Sequence, residues 1–367
     1  MTIRRVVVIG AGVAGLACAL GCARSGVRVE ILEARSSVAH GPAHVDLAPN
    51  LLRDLARLGV ADACVRRGFA YNGVAVVDEH GNEALQLPTP RLASEQLPPA
   101  AGIAYDELLG LLVGAAVQSG ATLHADCAVH AVGLDDGRVV ADGGRVFEAD
   151  LVVLAVGAES RLVEGLFGPA PPPVIRHVWW HALAPRPPWL ERSTWMAGSV
   201  GRRLLFVPIG MSRAGLAVVN AALPDEPADA GALIRLLESW GALPRRIAAA
   251  IEPTAPVVRR LVGSSLRQAP WYRATALCIG TAAHAVAPPF GHSAAQAVED
   301  AVVLGELLAA GLERQALLQR FMARRGARVQ RLHALTEQAA RWIARPEPGT
   351  DLAQLADEIG ALVAQPA

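Results

Sequence analysis

The chain has 367 residues, of which 52% are hydrophobic and 19% are charged, and this composition is that of a globular protein and not of a disordered one. Lysine plus arginine number 34 and aspartate plus glutamate number 34, so the formal net charge is zero and gives no sign of a nucleic-acid partner. The sequence has no lysine, so every fixed cation is an arginine.

The first predicted unit is a strand, a glycine-rich turn and a helix. Residues 6–9 are apolar and β-branched, as expected of a strand that is buried on both faces. They lead into GAGVAG at residues 10–15, a GxGxxG pattern, and then into helix formers up to residue 25. A second strand follows and ends at Glu33, so the whole stretch is typical of a dinucleotide-binding unit.

Each glycine of this pattern has a physical role. Gly10 permits the tight turn, Gly12 lets the backbone approach a pyrophosphate, and Gly15 lets the helix pack closely on the strand. The helix N-terminus offers free N–H groups and a partial positive charge to the phosphates, and Val13 and Ala14 are included among the predicted cofactor contacts. We therefore predict that these five residues bind the cofactor diphosphate.

Two further cofactor contacts are predicted just after the second strand. The Glu33 carboxylate can accept both hydroxyls of an adenosine ribose and would repel a 2′-phosphate, and Arg35 lies two residues beyond it. These residues do not distinguish FAD from NAD. A different interpretation of residues 4–23, two arginines before an apolar run, is a signal segment, but such a segment needs no glycine spacing.

The rest of the chain is predicted in order as follows. Turn residues around Gly137 and Gly143 indicate a small β-meander before a buried strand in residues 147–158. After a proline-rich boundary, segments 177–183, 193–200, 202–210 and 214–223 are predicted as successive antiparallel strands. An arginine-rich helix with a solvated face covers residues 312–345, and a short amphipathic helix covers residues 351–363.

Aromatic side chains on these strands are candidates to line a substrate pocket. The candidates are Trp180, His181, Trp195 and Phe206. Ordinary sheet packing is the alternative for each, because aromatic residues favour strands with or without a ligand. Strand alternation places Trp179 and Trp180 on opposite faces, so at most one of the two is expected to reach a pocket.

Residues 278–301, CIGTAAHAVAPPFGHSAAQAVEDA, combine a corner of small residues with a proline pair and a helical pattern. This stretch, together with the glycine fingerprint, resembles the aromatic-hydroxylase family of FAD-dependent monooxygenases, which p-hydroxybenzoate hydroxylase typifies. Residues 47–64 look like the first helix after the fingerprint in that family, so the resemblance implies a helix there. The family's second FAD motif runs Gly-Asp-Ala-Ala-His, Pro-Pro, Gly and Glu-Asp-Ala. The positions that match it in order are Gly280, Ala282, Ala283, His284, Pro288, Pro289, Gly291, Glu299, Asp300 and Ala301.

The resemblance implies an α/β fold in which a Rossmann-like FAD-binding domain of the p-hydroxybenzoate hydroxylase type is interleaved with an antiparallel-sheet substrate domain. The FAD domain is expected in residues 1–74, 102–168 and 266–345, the substrate domain in residues 75–101 and 169–265, and a C-terminal helix in residues 346–367. Beyond the fingerprint, the resemblance assigns FAD contacts to Tyr105, Gly280, Thr281, Pro288, Gly291, Ser293 and Ala294.

The sequence departs from the family pattern at several positions that face the cofactor. Thr281 stands where the family has an aspartate that binds a ribityl hydroxyl, and Tyr105 stands where it usually has an arginine. Ser293 replaces a glycine, Ala295 replaces an asparagine, and Val156 occupies an aspartate position. A neutral hydroxyl contributes about 1 kcal/mol and a charged partner about twice that, so we expect weakened but retained FAD binding.

The implied activity is hydroxylation of an aromatic or conjugated small molecule with NAD(P)H and O2, through a flavin C4a-hydroperoxide. A single dinucleotide fingerprint suggests that NAD(P)H visits transiently. His292 and Pro288, beside the flavin in the resemblance, are the candidate catalytic residues. The alternatives are a flavin-dependent oxidoreductase without oxygenation and a non-catalytic nucleotide-binding relic.

The cysteine count and the hydropathy of the chain indicate which cofactors, compartments and partners to expect. The five cysteines are scattered, which argues against a disulfide framework or a zinc site and fits a reducing cytoplasm. No metal, no nucleic acid and no membrane span are expected. The expected partners are the small-molecule substrate, O2 and a second copy in a homodimer.

Overall fold

The computed structural model describes residues 2–38, 41–173, 176–197, 202–220, 227–286, 292–345 and 349–367. The helices are α1 Val13–Arg24, α2 Pro49–Arg57, α3 Ala61–Arg67, α4 Tyr105–Gln118, α5 Arg161–Phe167, α6 Ala230–Glu238, α7 Ala242–Ala248, α8 His292–Ala309, α9 Arg314–Ala344 and α10 Leu352–Ala364. Each helix of the described residues is too short or too polar to span a bilayer.

The strands fall into several sheets. They are β1 Arg5–Ile9, β2 Arg28–Leu32, β3 His44–Leu47, β4 Phe69–Tyr71, β5 Val74–Val77, β6 Glu83–Leu87, β7 Ala100–Ala104, β8 Thr122–His124, β9 Val129–Val132, β10 Arg138–Ala141, β11 Val146–Glu148, β12 Leu151–Leu154, β13 Arg176–Pro185, β14 Ser193–Ala197, β15 Arg203–Pro208, β16 Arg213–Asn220, β17 Val257–Gly263, β18 Ser265–Leu266, β19 Tyr272–Arg273, β20 Ala276–Cys278 and β21 His284–Ala285.

A sheet with the order β19-β20-β12-β1-β2-β8 is the centre of the larger core. Its strands run parallel except β19, which pairs antiparallel with β20 at the edge. β12 is buried along its whole length, and β1 is buried except at Arg5, which explains their continuous apolar runs. The α/β prediction is therefore confirmed, and the run at residues 6–23 forms β1 and α1 of this core.

The helix α8 brings the C-terminal third of the chain against the N-terminal unit. At Gly21 of α1, a Cβ atom would lie 2.8 Å from the carbonyl oxygen of Ala301, and at Gly305 it would lie 2.9 Å from the oxygen of Gly21. The two helices therefore touch backbone to backbone. This contact places the start of α8 beside the glycine fingerprint, although more than 250 residues separate them in sequence.

Two local predictions around the parallel sheet have different outcomes. The β-meander is confirmed, since β9, β10 and β11 form an antiparallel sheet just before β12. The single helix over residues 47–64 is wrong. The chain instead forms α2 and α3, because Gly59 between them adopts a φ of +77° that ends the first helix.

A second large sheet has the order β17-β13-β16-β15-β14-β5-β6 and is antiparallel except where β14 pairs with β5. The four predicted strands are present, but β13 pairs with β16 and β17 and does not pair with β14. We did not predict α6, α7 or β17; the two helices pack on one face of this sheet. The proposed division into two domains remains a prediction.

The arginines of α9 are not all solvated, and this corrects the prediction for that helix. Arg325 is fully buried and donates from Nε to Asp300 at 2.7 Å and from Nη1 to Glu299. Arg328 Nε also donates to Glu299, at 3.0 Å, and Arg53 of α2 reaches the same carboxylate. The reason is that α8 carries two acidic residues into the core, where carboxylates require cationic partners.

Candidate cofactor and substrate site

The glycine fingerprint forms a tight loop in which Gly10 and Gly15 leave no room for a side chain. Gly10 has a φ of +101°, and a Cβ atom there would lie 2.7 Å from the carbonyl oxygen of Ala155. At Gly15 a Cβ atom would lie only 1.8 Å from the oxygen of Gly10, so β1 and α1 pack in direct contact. These are the constraints that the spacing predicts for the turn and for close helix–strand packing.

The start of α1 leaves backbone donors available for an anion. Gly12 is the N-cap residue, and no side chain caps the helix. Its carbonyl accepts the first helical hydrogen bond, from Leu16 N at 2.9 Å, so the N–H groups of the first turn have no acceptor within the helix. Together with the helix dipole, these N–H groups favour a phosphate at this position.

Glu33, just after the end of β2, stabilises this loop through two hydrogen bonds. Its Oε2 accepts a hydrogen bond from Ala11 N at 2.8 Å, and its Oε1 accepts one from Arg35 N at 3.1 Å. A carboxylate has lone pairs for further donors after these two bonds. The predicted contact with a ribose therefore remains open to Glu33, and its role in shaping the loop was not foreseen.

The corner at Gly280 is held by a buried ionic network. Gly280 has a φ of +56°, and its N–H donates to Asp300 Oδ2 at 2.9 Å. His284 Nε2 contacts the same oxygen at 2.7 Å, and Arg325 holds the other oxygen. Burial alone would raise the pKa of Asp300, but His284 and Arg325 outweigh burial and bring the pKa down to about 2. His284 is thereby tied into the core.

A cleft of about 560 Å³ lies between the fingerprint loop and the start of α8. Residues from both distant parts of the sequence line it together. The predicted cofactor residues among its lining are Gly10, Gly12, Val13, Ala14, Glu33, Arg35, Tyr105, Thr281, Ser293 and Ala294.

Five of the predicted cofactor and catalytic residues do not appear in this lining. Gly15 and Gly280 lie beneath it, where they shape the loop and the corner. Pro288 and Gly291 lie outside the described residues, and so does the side chain of His292.

Other lining residues fit the same ligand. Val156 and Gly157 follow β12, and Ser160 accepts a hydrogen bond from Val163 N at 3.5 Å as the N-cap of α5. Arg260 of β17 also lines the cleft and was not predicted, because an arginine in an alternating strand carries no local signal. The glycine turn, the helix start and a lining drawn from both ends of the chain together fit a dinucleotide such as FAD.

The large antiparallel sheet presents one face toward this cleft and the other toward α6 and α7. His181 and Trp179 lie on the cleft-side face, where their rings stack with centroids 5.6 Å apart. His44 of β3 meets His181 edge-on at 6.0 Å and also covers Gly215. Trp195 pairs directly with Leu205, which packs on the same face, so its side chain lies there too.

Trp180 and Phe206 lie on the opposite face, and this corrects their prediction as pocket residues. Both are about 1% exposed and pack in the core formed with α6 and α7. Alternation along each strand decides this, as it does for the neighbouring Trp179 on the cleft side. The expectation that at most one tryptophan of the pair reaches the cleft-side face is confirmed.

Burial keeps the rings of His44 and His181 neutral at pH 7. Burial lowers the pKa of His44 to about 4. Burial, with smaller contributions from His44 and Arg260, lowers the pKa of His181 to about 3. At neutral pH each ring therefore offers one donor and one acceptor to a ligand.

Comparison with known proteins identifies the family to which this arrangement belongs. Residues 4–336 match the family model of an FAD binding domain. The chain belongs to this family. Its cofactor is FAD, and its relatives are FAD-dependent monooxygenases of aromatic and heterocyclic compounds, so the chain is an FAD-dependent monooxygenase of the aromatic-hydroxylase type.

Individual relatives cover most of the chain at modest identity. Aurachin C monooxygenase/isomerase of Stigmatella aurantiaca is 26% identical over 87% of this chain and 84% of its own length. The 2-heptyl-3-hydroxy-4(1H)-quinolone synthase of Pseudomonas aeruginosa is 28% identical over 89% and 86%. The solved structure of Klebsiella pneumoniae HpxO with FAD and uric acid superposes with a TM-score of 0.78, at 22% identity, over 99% of this chain and 93% of that one, which shows a shared fold.

Proposed function

We propose that this protein uses NADH or NADPH and O2 to hydroxylate a small aromatic or heteroaromatic compound. One observation carries the proposal. A single cleft is lined by the fingerprint loop at Gly10–Ala14 and by Thr281 and Ser293 near the start of α8, and it reaches the antiparallel sheet at Arg260. A flavin nucleotide held along this cleft would meet a substrate on the cleft-side face.

The roles of individual residues follow from their positions. The N–H groups at the start of α1 bind the diphosphate, Glu33 binds the adenosine ribose, and Thr281 donates to the ribityl chain. The flavin, when bound, supplies the two-electron and oxygen chemistry. His181 and Trp179 orient the ring of the substrate, and their burial keeps water from the reacting face.

Substrates of the relatives indicate which compounds to test first. One relative is named for a quinolone and another for urate, and both are fused nitrogen heterocycles. A third relative is named for 6-hydroxynicotinate, a single-ring heterocycle. We therefore propose a panel of quinolones, purines, hydroxypyridines and phenols. A cytoplasmic location and a homodimer, both expected from the sequence, are further parts of this proposal.

The test is a spectrum followed by isotope analysis. The purified protein should show flavin absorbance, and a substrate from the panel should accelerate NAD(P)H oxidation and receive one oxygen atom from ¹⁸O₂. Accelerated oxidation that yields only hydrogen peroxide with every compound would support an oxidoreductase without oxygenation and reject the proposal. His292→Gln should slow flavin reduction or turnover if this residue acts directly, and unchanged rates would remove it from the site.

A further inference from the structure

The cofactor cleft has few charged side chains in its lining, and one of them comes from the antiparallel sheet. The charged lining residues are Glu33, Arg35 and Arg260. Arg35 follows β2 of the parallel sheet, whereas Arg260 lies on β17 and reaches the cleft from the other sheet. A diphosphate is doubly negative, and anions within a protein require cationic or hydrogen-bonding partners. Arg260 is therefore one of the two lining cations that could serve the cofactor.

Strand alternation determines the direction of the Arg260 side chain. Arg260 stands opposite Trp179 on β13, and Val262, two residues further along, packs with Trp179 on the cleft-side face. Arg259 lies over the ring of Trp180 at 5.3 Å, on the face that α6 and α7 cover. Because successive side chains of a strand point to opposite faces, Arg260 extends toward the cleft. β17 is the edge strand of the sheet, so Arg260 lies at the border between sheet and cleft.

Arg260 has no acidic partner among the residues that the structure describes. Its guanidinium forms no ion pair and no hydrogen bond there, whereas Arg267 of the segment that follows donates to the carbonyl oxygens of Ala282 and Gly168. The Arg260 side chain is exposed at the cleft border, so water hydrates it when no ligand is bound. All of its N–H donors are available to an anion that enters the cleft.

The hydroxyl of Tyr105 lies close to both Arg260 and the glycine fingerprint. A Cβ atom at Gly12 would lie 4.0 Å from this hydroxyl, and a Cβ atom at Gly41 would overlap the Tyr105 ring. The ring is thus fixed against Gly41, with its hydroxyl beside the glycine that lets the backbone approach a pyrophosphate. Burial raises the pKa of Tyr105, and the charge of Arg260 opposes that rise more strongly than the charge of Arg35 does. Arg260 therefore lies nearer to the hydroxyl.

The side chain at position 105 is neutral, although it lies beside Gly12. The related family usually has an arginine at this position, and a tyrosine keeps one donor there but removes the positive charge. Within the described residues, the Tyr105 hydroxyl has no hydrogen-bond partner, so its proton is free to be donated to a ligand. Arg260 brings a cation to the same part of the cleft from a different element of the fold.

We propose that Arg260 and the hydroxyl of Tyr105 bind the diphosphate of FAD, so that the cofactor joins the edge strand β17 to the glycine fingerprint. An arginine donates two parallel hydrogen bonds to a phosphate group, and a phenol donates one. This inference goes beyond the proposed function, because it holds for any substrate of the enzyme. Its consequence is that bound FAD restrains β17 of the antiparallel sheet.

Fluorescence titration of FAD into the full-length chain measures the contribution of each donor. Arg260→Gln should weaken FAD binding by about tenfold, because it removes charge-assisted hydrogen bonds to a phosphate, and Tyr105→Phe should weaken it by less. Arg259→Gln is the matched control, since it removes the same charge from the sequence neighbour on the opposite face. It should keep the FAD affinity within about twofold of wild type. Unchanged affinity in Arg260→Gln, or equal losses in both arginine variants, would overturn the proposal.

A second substitution tests whether the missing charge causes the loss. Tyr105→Arg in the Arg260→Gln background returns a cation to the side of Gly12 and should restore most of the FAD affinity. A folded double variant without recovery would reject the proposal. If the double variant does not fold, salt dependence decides instead. Raising NaCl from about 50 mM to about 500 mM should weaken FAD binding less in Arg260→Gln than in wild type, and equal salt dependence would contradict a phosphate contact.

Hydrogen exchange tests the connection between FAD and the antiparallel sheet. FAD should slow the exchange of backbone amides in β17 of the wild-type protein, and Arg260→Gln saturated with FAD should lose part of this protection. A merely structural role of Arg260 would change exchange equally with and without FAD, and this result would reject the proposal.

Kinetic results separate this inference from its alternatives. Unchanged FAD affinity with a raised KM for NAD(P)H in Arg260→Gln would assign this residue to the nicotinamide donor and end the proposal. An enzyme that transfers no oxygen to any compound, but loses FAD affinity in Arg260→Gln, would keep the diphosphate contact and lose the proposed activity.

Discussion

Replacing Asp300 with asparagine should destabilise the protein strongly and in a pH-dependent manner. Its carboxylate is fully buried and accepts hydrogen bonds from Gly280 N, His284 and Arg325. Asparagine keeps the shape but offers one acceptor oxygen to these three donors. Removing one partner of a buried ion pair costs about 3–5 kcal/mol, and we expect a loss of this size at pH 7.

The pH dependence follows from the depressed pKa of Asp300. The pKa falls from 3.8 to about 2 on folding, so the carboxylate contributes about 2 kcal/mol that is fully present above pH 5 and declines as the pH falls toward 2. About half of this contribution is lost by pH 3, because the unfolded chain is by then mostly protonated at this residue. Asparagine does not titrate, so the gap between wild type and Asp300→Asn should narrow by about 1 kcal/mol between pH 7 and pH 3.

Urea unfolding at fixed excess FAD measures both effects. Glu306→Gln is the control, since Glu306 lies on the same helix and pairs with Arg57 and Arg324 at the surface. Surface ion pairs contribute at most about 1 kcal/mol, so this variant should lose little. A loss below about 1 kcal/mol for Asp300→Asn at pH 7, or a gap that stays constant down to pH 3, would refute the reasoning.

Three further predictions concern the cleft and the sheet. Thr281→Asp should tighten FAD binding by about fivefold, because a charge-assisted hydrogen bond is worth about 1 kcal/mol more than a neutral one. The added negative charge should also lower the midpoint potential of the flavin. A fluorescence titration that shows no gain in FAD affinity contradicts this prediction. Gly15→Ala should abolish retention of FAD on a desalting column, because the new Cβ atom would lie 1.8 Å from the carbonyl oxygen of Gly10. Gly110→Ala is the control and should retain FAD normally, because its Cβ atom would have no atom within 4 Å. Trp180→Ala should cost about 3–5 kcal/mol in unfolding experiments and leave FAD affinity unchanged; a selective loss of FAD would place this ring at the site after all.

The cofactor end of the site could be predicted because its constraints are local. A strand, a GxGxxG turn and a helix depend on residues that are close in sequence, and the structure has all three, with α1 beginning at Val13, inside the glycine pattern. The corner at Gly280 was found through its motif. The motif did not show that Asp300 holds that corner, since this contact depends on α8 folding back against residues 280–282.

The substrate end of the site was less predictable, because the order of strands in the antiparallel sheet and the face on which each side chain lies depend on pairing between strands that are distant in sequence. The strands around Trp180 were identified, yet β13 pairs with β16 and β17, and nothing local specifies that order. The burial of arginines on α9 was missed for the same reason, because it too depends on residues that are distant in sequence. Its arginines look solvated in sequence, and Arg325 is buried because the acidic residues of α8 lie opposite it.

Because remote segments of the chain meet at one cleft, bound FAD adds to the free energy of unfolding. A ligand that binds the folded state at a thousand times its dissociation constant adds about 4 kcal/mol to the free energy of unfolding. FAD would contact residues near position 10 and near position 294 at once, so opening either helix start releases the nucleotide. Cells short of riboflavin should therefore accumulate less of this protein, through degradation of apoprotein that opens more often.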